Sequence, residues 1–107
     1  MNPFRTNVVV VTLCGSTKFK EQFREAEEQE GFRGNVVLTC AFFAHSDQRS
    51  LTVEDKRRLD ILHLRKIDLS DEILVLNIGG YIGDSTAMEI AYAESTGKRI
   101  RYWELER

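Results

Sequence analysis

Proline is nearly missing from this chain: Pro3 is the only one, and it lies in the N-terminal lead. No proline-rich linker divides the sequence, and no proline breaks a helix or strand. Cysteine is scarce as well. Cys14 and Cys40 each sit inside an apolar strand-like run. A disulfide framework needs more cysteines in a shorter secreted chain, so the pair reads as reduced, buried thiols in a cytoplasmic protein. Long hydrophobic runs are absent. Val8–Cys14 is too short to span a bilayer. It lacks a cleavage-site pattern and breaks at Gly15-Ser16 before a charged helix, which reads as a first strand and not a signal peptide. Charge of one sign is also lacking: 15 lysines and arginines face 17 aspartates and glutamates, for a formal net charge of −2. Interspersed signs argue against a partner that is a nucleic acid polymer, and against a disordered acidic chain. Histidine occurs twice, with no third ligand at useful spacing, so no metal set is legible.

What the chain does have is regular alternation. At 107 residues it forms one domain, residues 1–107, able to bury a modest core. Asn7–Cys14 is a Val-rich run suited to a strand covered on both faces. Ser16 or Thr17 then caps a helix to about Glu30, with Phe19, Phe23 and Ala26 on one face. Gly31 or Gly34 closes it. Asn35–Ala44 is a second β-rich run, and His45–Leu51 is a polar connection. Thr52 and Asp55 form a capping-box start for a long helix to about Leu69. Glu72–Ile78 is a third, nearly all-apolar strand. A third helix starts near Ser85 and ends at Gly97, and Lys98–Glu104 is a fourth strand. This order predicts an α/β fold, a flavodoxin- or Rossmann-like three-layer sandwich. Its four-stranded parallel sheet should have order 2-1-3-4.

Parallel sheets of this kind bind ligands beyond the carboxyl ends of their strands. Three segments are expected there: Cys14–Thr17, His45 and Gly79–Ser85. The first loop, CGSTKF, fails the stronger motifs. A dinucleotide fingerprint needs GxGxxG and a P-loop needs GxxxxGK followed by Ser or Thr. A cysteine phosphatase would want arginine where Lys20 stands. Gly15, Ser16 and Thr17 remain as a short turn at a helix N-terminus. It is either a plain cap or a site for an anion or sugar hydroxyl. His45 reads as a solvated loop histidine or as a ligand contact. His63, beside Leu59, Leu62 and Ile67, reads first as a partly buried histidine satisfied by a neighbour such as Asp60, and second as a pocket group.

The densest signal is Glu72–Ala93, EILVLNIGGYIGDSTAMEIAYA: a buried strand, a turn with Gly79, Gly80 and Gly83, and a helix start. Glycine there permits positive φ and close backbone approach. Glu89 is the one carboxylate in the apolar helix that follows. It is either the second half of a Thr86–Glu89 capping box or, if Asp84 or Ser85 is the cap, a free carboxylate in a half-apolar cleft, able to act as a nucleophile.

These residues carry a resemblance. VTLCGS after the first strand, DLSDEILVLN leading into the third, and GDSTAMEIAYA resemble the nucleoside 2-deoxyribosyltransferase-like superfamily, which includes deoxynucleotide N-glycosidases. The resemblance covers most of the chain. It implies that Glu89 is the nucleophile in a double displacement at an anomeric carbon, and that Gly15 and Ser16 approach the sugar or 5′-phosphate. The leaving base needs a proton or hydrogen bond, for which Asp84, His63 and His45 are candidates. Cys14, Thr17, Gly80, Gly83 and Ser85 complete the expected lining. The family usually has tyrosine where Thr12 stands and aspartate where His63 stands. The implied partner is a small nucleoside or nucleotide, with no metal or other cofactor and no membrane, and a homodimer is expected. The alternative is a nucleotide-binding sensor or regulatory module that does not turn over.

Overall fold

The computed structural model describes residues 7–40, 43 and 47–106. The continuous apolar runs become neighbouring strands. β1 (Val10–Cys14) and β3 (Glu72–Val75) lie side by side, with β2 (Val36–Leu38) outside β1 and β4 (Arg99–Tyr102) outside β3. All pairings are parallel and the order is β2-β1-β3-β4. Alternate residues of a strand point to opposite faces, so the inner strands must be apolar on both. Val11, Leu13, Leu74 and Leu76 pack with Phe23 and Ala26 of α1 (Lys20–Phe32). Cys14, Ile73 and Val75 pack on the other face with Ile67 of α2 (Val53–Leu69) and Ala93 of α3 (Asp84–Ser95). The result is the predicted three layers.

The start of α2 is also as read. The Asp55 amide donates to Thr52 Oγ1 at 3.0 Å, and the Thr52 amide donates back to the Asp55 carboxylate at 3.4 Å. Asp71, in the lead-in to β3, clips the sheet: its carboxylate accepts from the Val10 amide at 2.8 Å, and its amide donates to the Val10 carbonyl.

Several element boundaries differ from expectation. β3 ends at Val75, short of Ile78, which opens a 3-10 turn over Ile78–Gly80. β1 begins at Val10, because Val8 and Val9 are exposed and have no core to face. β2 ends at Leu38: it is an edge strand with a single partner, and Lys66 of α2 takes the Thr39 carbonyl at 2.6 Å once the ladder stops. Its expected continuation through residues 41, 42 and 44 lies outside the described residues, as does His45. α1 begins at Lys20, not at Ser16 or Thr17. The Ser16 hydroxyl is spent on the Lys18 amide at 3.3 Å in a local turn, and Phe19 precedes the helix without a side-chain cap. Finally β4 stops at Tyr102, where the chain turns into α4 (Trp103–Glu106). Trp103 is 3% exposed and sits in the α1-side core, where its indole donates to Gln29 Oε1.

Candidate functional site

At the carboxyl end of the sheet a cleft of about 430 Å³ opens between the β1–α1 loop, α2 and the start of α3. β1 delivers Gly15, Ser16 and Thr17 to one wall. The turn before α3 delivers Tyr81, Gly83, Asp84 and Ser85 to another, and Glu89 stands one helical turn further in. α2 supplies the third wall. Its stripe Lys56, Leu59, Asp60, His63 and Lys66 repeats at helical spacing and faces the cleft.

The predicted site residues divide accordingly. Glu89, Asp84, Gly15, Ser16, Thr17, His63, Gly83 and Ser85 all meet in the cleft. Cys14 lies fully buried beneath it, with Sγ 3.5 Å from His63 Nε2. Gly80 does not line the cleft. Its φ of +79°, like the +62° of Gly79, serves a tight turn held from α4, where Glu104 accepts from the Gly79 amide and donates its own amide to Asn77. Gly15 is needed for packing: a Cβ there would stand 3.2 Å from Leu76 Cβ and from the Leu76 carbonyl oxygen.

The capping-box reading of Glu89 does not hold. α3 starts one turn earlier than that box requires, with Gly83 as its N-cap and no side-chain cap bond. Glu89 is therefore an interior helix residue, 7% exposed, and its carboxylate is released from local duty. Among the described residues no lysine or arginine pairs with it; its nearest charged-type contact is His63 Nε2 at 3.8 Å. Burial pushes the Glu89 carboxyl up to about 7, and the Asp60 charge adds to this. The Cys14 thiol, by hydrogen bonding, and Lys56 work the other way. Burial and then Lys66 bring the His63 imidazole down to about 4, against a backbone hydrogen bond to Leu13 and the Asp60 charge. The His63–Glu89 contact is thus a neutral imidazole against a carboxyl, not an ion pair. Burial also holds both thiols protonated: Cys40 is pushed up to about 12, and Cys14 well above its ordinary value, where the neighbouring Glu89 charge adds to the effect.

Set against known proteins, the chain matches no family model and no curated protein.

Several cleft groups carry no motif in the sequence. Lys56 Nζ bridges Asp60 at 3.0 Å and Ser85 Oγ at 3.3 Å, tying α2 to the N-terminus of α3. Tyr81 carries Lys18 Nζ 3.6 Å from its ring centroid, over a Phe19 edge contact. The signal for the α2 groups was present, since Lys56, Asp60 and His63 stand at i, i+4 and i+7. Thr12 is fully buried, does not line the cleft, and donates to the Lys66 carbonyl at 3.1 Å. Cys14, His63 and Glu89 form the one group of three possible metal ligands among the described residues. Also among them, no helix is long and apolar enough to cross a membrane.

Proposed function

We propose that this chain cleaves the N-glycosidic bond of a nucleoside or nucleotide, or transfers its deoxyribosyl group, with Glu89 as nucleophile. The observation that carries the reading is the state of Glu89: a buried carboxyl on the wall of a carboxyl-end cleft, neither consumed as a cap nor neutralised by a cation. A carboxylate poorly solvated in its resting site is a stronger nucleophile than one in water. Its attack on the anomeric carbon forms a glycosyl ester as the C–N bond breaks and the base leaves. Water or a second base then releases the sugar, so one hard step becomes two easier ones. Asp84, on the cleft rim, is assigned to the proton or hydrogen bond the leaving base needs. His63, neutral and against the carboxyl, positions the nucleophile.

The N-terminus of α3, with Ser85 and Lys56 at its mouth, suits an anionic group such as a 5′-phosphate. The aromatic ring of Tyr81 offers a face to a base. A homodimer belongs to the same proposal: Leu51 and Leu62 line the cleft yet are 36% and 51% exposed, apolar surface that a second copy would cover.

The second reading is a nucleotide-binding module without turnover. Thr12 favours it, because its hydroxyl is spent on the Lys66 carbonyl and gives no help at the sugar. Release of free base from a panel of deoxynucleosides and their 5′-monophosphates separates the two. The catalytic reading expects release by wild type and none by Glu89→Gln at a melting temperature that does not fall. Binding of a monophosphate with no release by wild type selects the module.

A further inference from the structure

One cluster in this cleft exceeds what a glycosyl nucleophile needs. Cys14 from the end of β1, His63 from the middle of α2 and Glu89 from α3 bring a sulfur, a nitrogen and an oxygen within 4.8 Å of one another. Each comes from a different packed element and all three are buried, so no loop must close to assemble them. The spacings have a chemical meaning. With Zn–S about 2.3 Å and Zn–N about 2.0 Å, a tetrahedral centre places its sulfur and nitrogen ligands about 3.5 Å apart, and its nitrogen and oxygen ligands about 3.4 Å apart. Here Cys14 Sγ and His63 Nε2 are 3.5 Å apart, and His63 Nε2 and Glu89 Oε1 are 3.8 Å apart.

We propose that Cys14, His63 and Glu89 form a three-ligand Zn²⁺ site whose fourth position opens to the cleft. Thiolate with imidazole selects zinc or a similar borderline ion over Mg²⁺ and Ca²⁺, which require oxygen. Binding releases the Cys14 thiol proton, and the Glu89 proton where the carboxyl is protonated; neutral His63 gives the Nε2 lone pair and loses nothing. One dication then offsets two anions in a buried site. Three protein ligands and an open position are the pattern of a reactive or regulated zinc, not of a closed structural one. Glu89 cannot ligate zinc and attack a sugar carbon at once. On the glycosidic reading, zinc therefore holds the enzyme off; zinc binding itself does not depend on that reading.

The test uses the metal-free chain and the ions alone. Zn²⁺ titration should reach one ion per chain and raise the melting temperature. Co²⁺ should bind in zinc's place with a thiolate-to-cobalt charge-transfer band and a tetrahedral visible spectrum. Cys14→Ser should abolish that band. Glu89→Gln should keep the band and weaken affinity about tenfold or more. Cys40→Ser, at the cleft's other thiol, should leave band and stoichiometry intact. Substoichiometric zinc, cobalt bound without the band, or a band lost in Cys40→Ser but kept in Cys14→Ser would each overturn the site. Should Cys14→Ser fail to fold, Glu89→Gln decides it by affinity. None of these readouts uses turnover, so a wild type that releases no base would defeat the glycosidic reading and leave the zinc result standing.

Discussion

The two ends of the sheet treat a buried glutamate in opposite ways. At the amino end Glu30, 2% exposed, accepts from Arg101, from Asn35 at 2.9 Å and from Arg33 at 3.1 Å. Arg101 also donates to Glu72 at 3.0 Å, so one guanidinium bridges two carboxylates. Burial alone would raise the Glu30 carboxyl, but the Arg101 and Asn35 hydrogen bonds and the Arg101 and Arg33 charges outweigh it and hold it below its ordinary value. At the carboxyl end Glu89 is buried without a guanidinium and rises to about 7. A fork of donors makes a buried carboxylate structural. Withholding the fork leaves it available for chemistry at the cost of stability when ionised.

The sharpest way to break this contrast is Glu89→Gln. It should cost base release on the order of 10⁴-fold or more, as loss of a nucleophile does elsewhere, while the melting temperature holds or rises. Residual turnover within tenfold of wild type would remove Glu89 from the chemistry.

Next in size is Arg101→Met. It removes the guanidinium that Glu30 and Glu72 share, leaving Glu30 with Asn35 and Arg33 and Glu72 with Arg99 at 3.8 Å, and should cost about 3 kcal/mol in urea unfolding. A loss under about 1 kcal/mol would show that the amino end is no more dependent on pairing than the carboxyl end.

Acidity sharpens the comparison further. In metal-free protein the folded state keeps the Glu89 proton up to about 7 against an ordinary 4.5, so this group's stability is full at low pH and falls across that window as pH rises. His63 runs the other way: it is neutral when folded down to about 4 against an ordinary 6.5, so its contribution is full above 6.5 and lost as pH falls to about 4. Each amounts to about 3 kcal/mol, and the slopes largely cancel in wild type. Glu89→Gln should uncover the His63 slope, with stability rising by about that amount from pH 4 to 6.5. Glu30, with its lowered value, loses its contribution only below 4.5. Denaturant midpoints across pH 3.5–8 check all three. A Glu89→Gln profile as flat as wild type contradicts the assignment.

The smallest effect belongs to Lys56→Ala. Its pair with Asp60 is exposed, and stability should move by less than about 0.5 kcal/mol. Affinity for a deoxynucleoside 5′-monophosphate should fall about tenfold, roughly 1.4 kcal/mol, with affinity for the unphosphorylated nucleoside unchanged. Equal loss for both ligands would place the phosphate elsewhere.

Much of the molecule is legible in the sequence. VVTLC and EILV are apolar at all but one position each, which only inner parallel strands need. Thr52 and Asp55 announced the α2 cap, and Gly97 the end of α3. The errors fell where local signals compete. Ser16 and Thr17 are good caps by type, but the Ser16 hydroxyl satisfied a nearer amide. Thr86 and Glu89 had capping-box spacing, but Gly83 began the helix first. Trp103 falls within the expected strand Lys98–Glu104, but it fills core space beside α1 and opens α4 instead.

By itself, then, the sequence determined the layers, the strand order and which ends of which strands would meet, because periodicity and crossover handedness are local and chiral rules. It also singled out Glu89. Only the tertiary structure decided what Glu89 is. Residues 14, 63 and 89 are far apart in the chain, and nothing in their spacing predicts that Cys14 and His63 stand against that carboxyl while Arg101 is committed to the other end of the sheet. A carboxylate's character depends on its solvation and partners, and those are supplied by chain segments that only packing brings together.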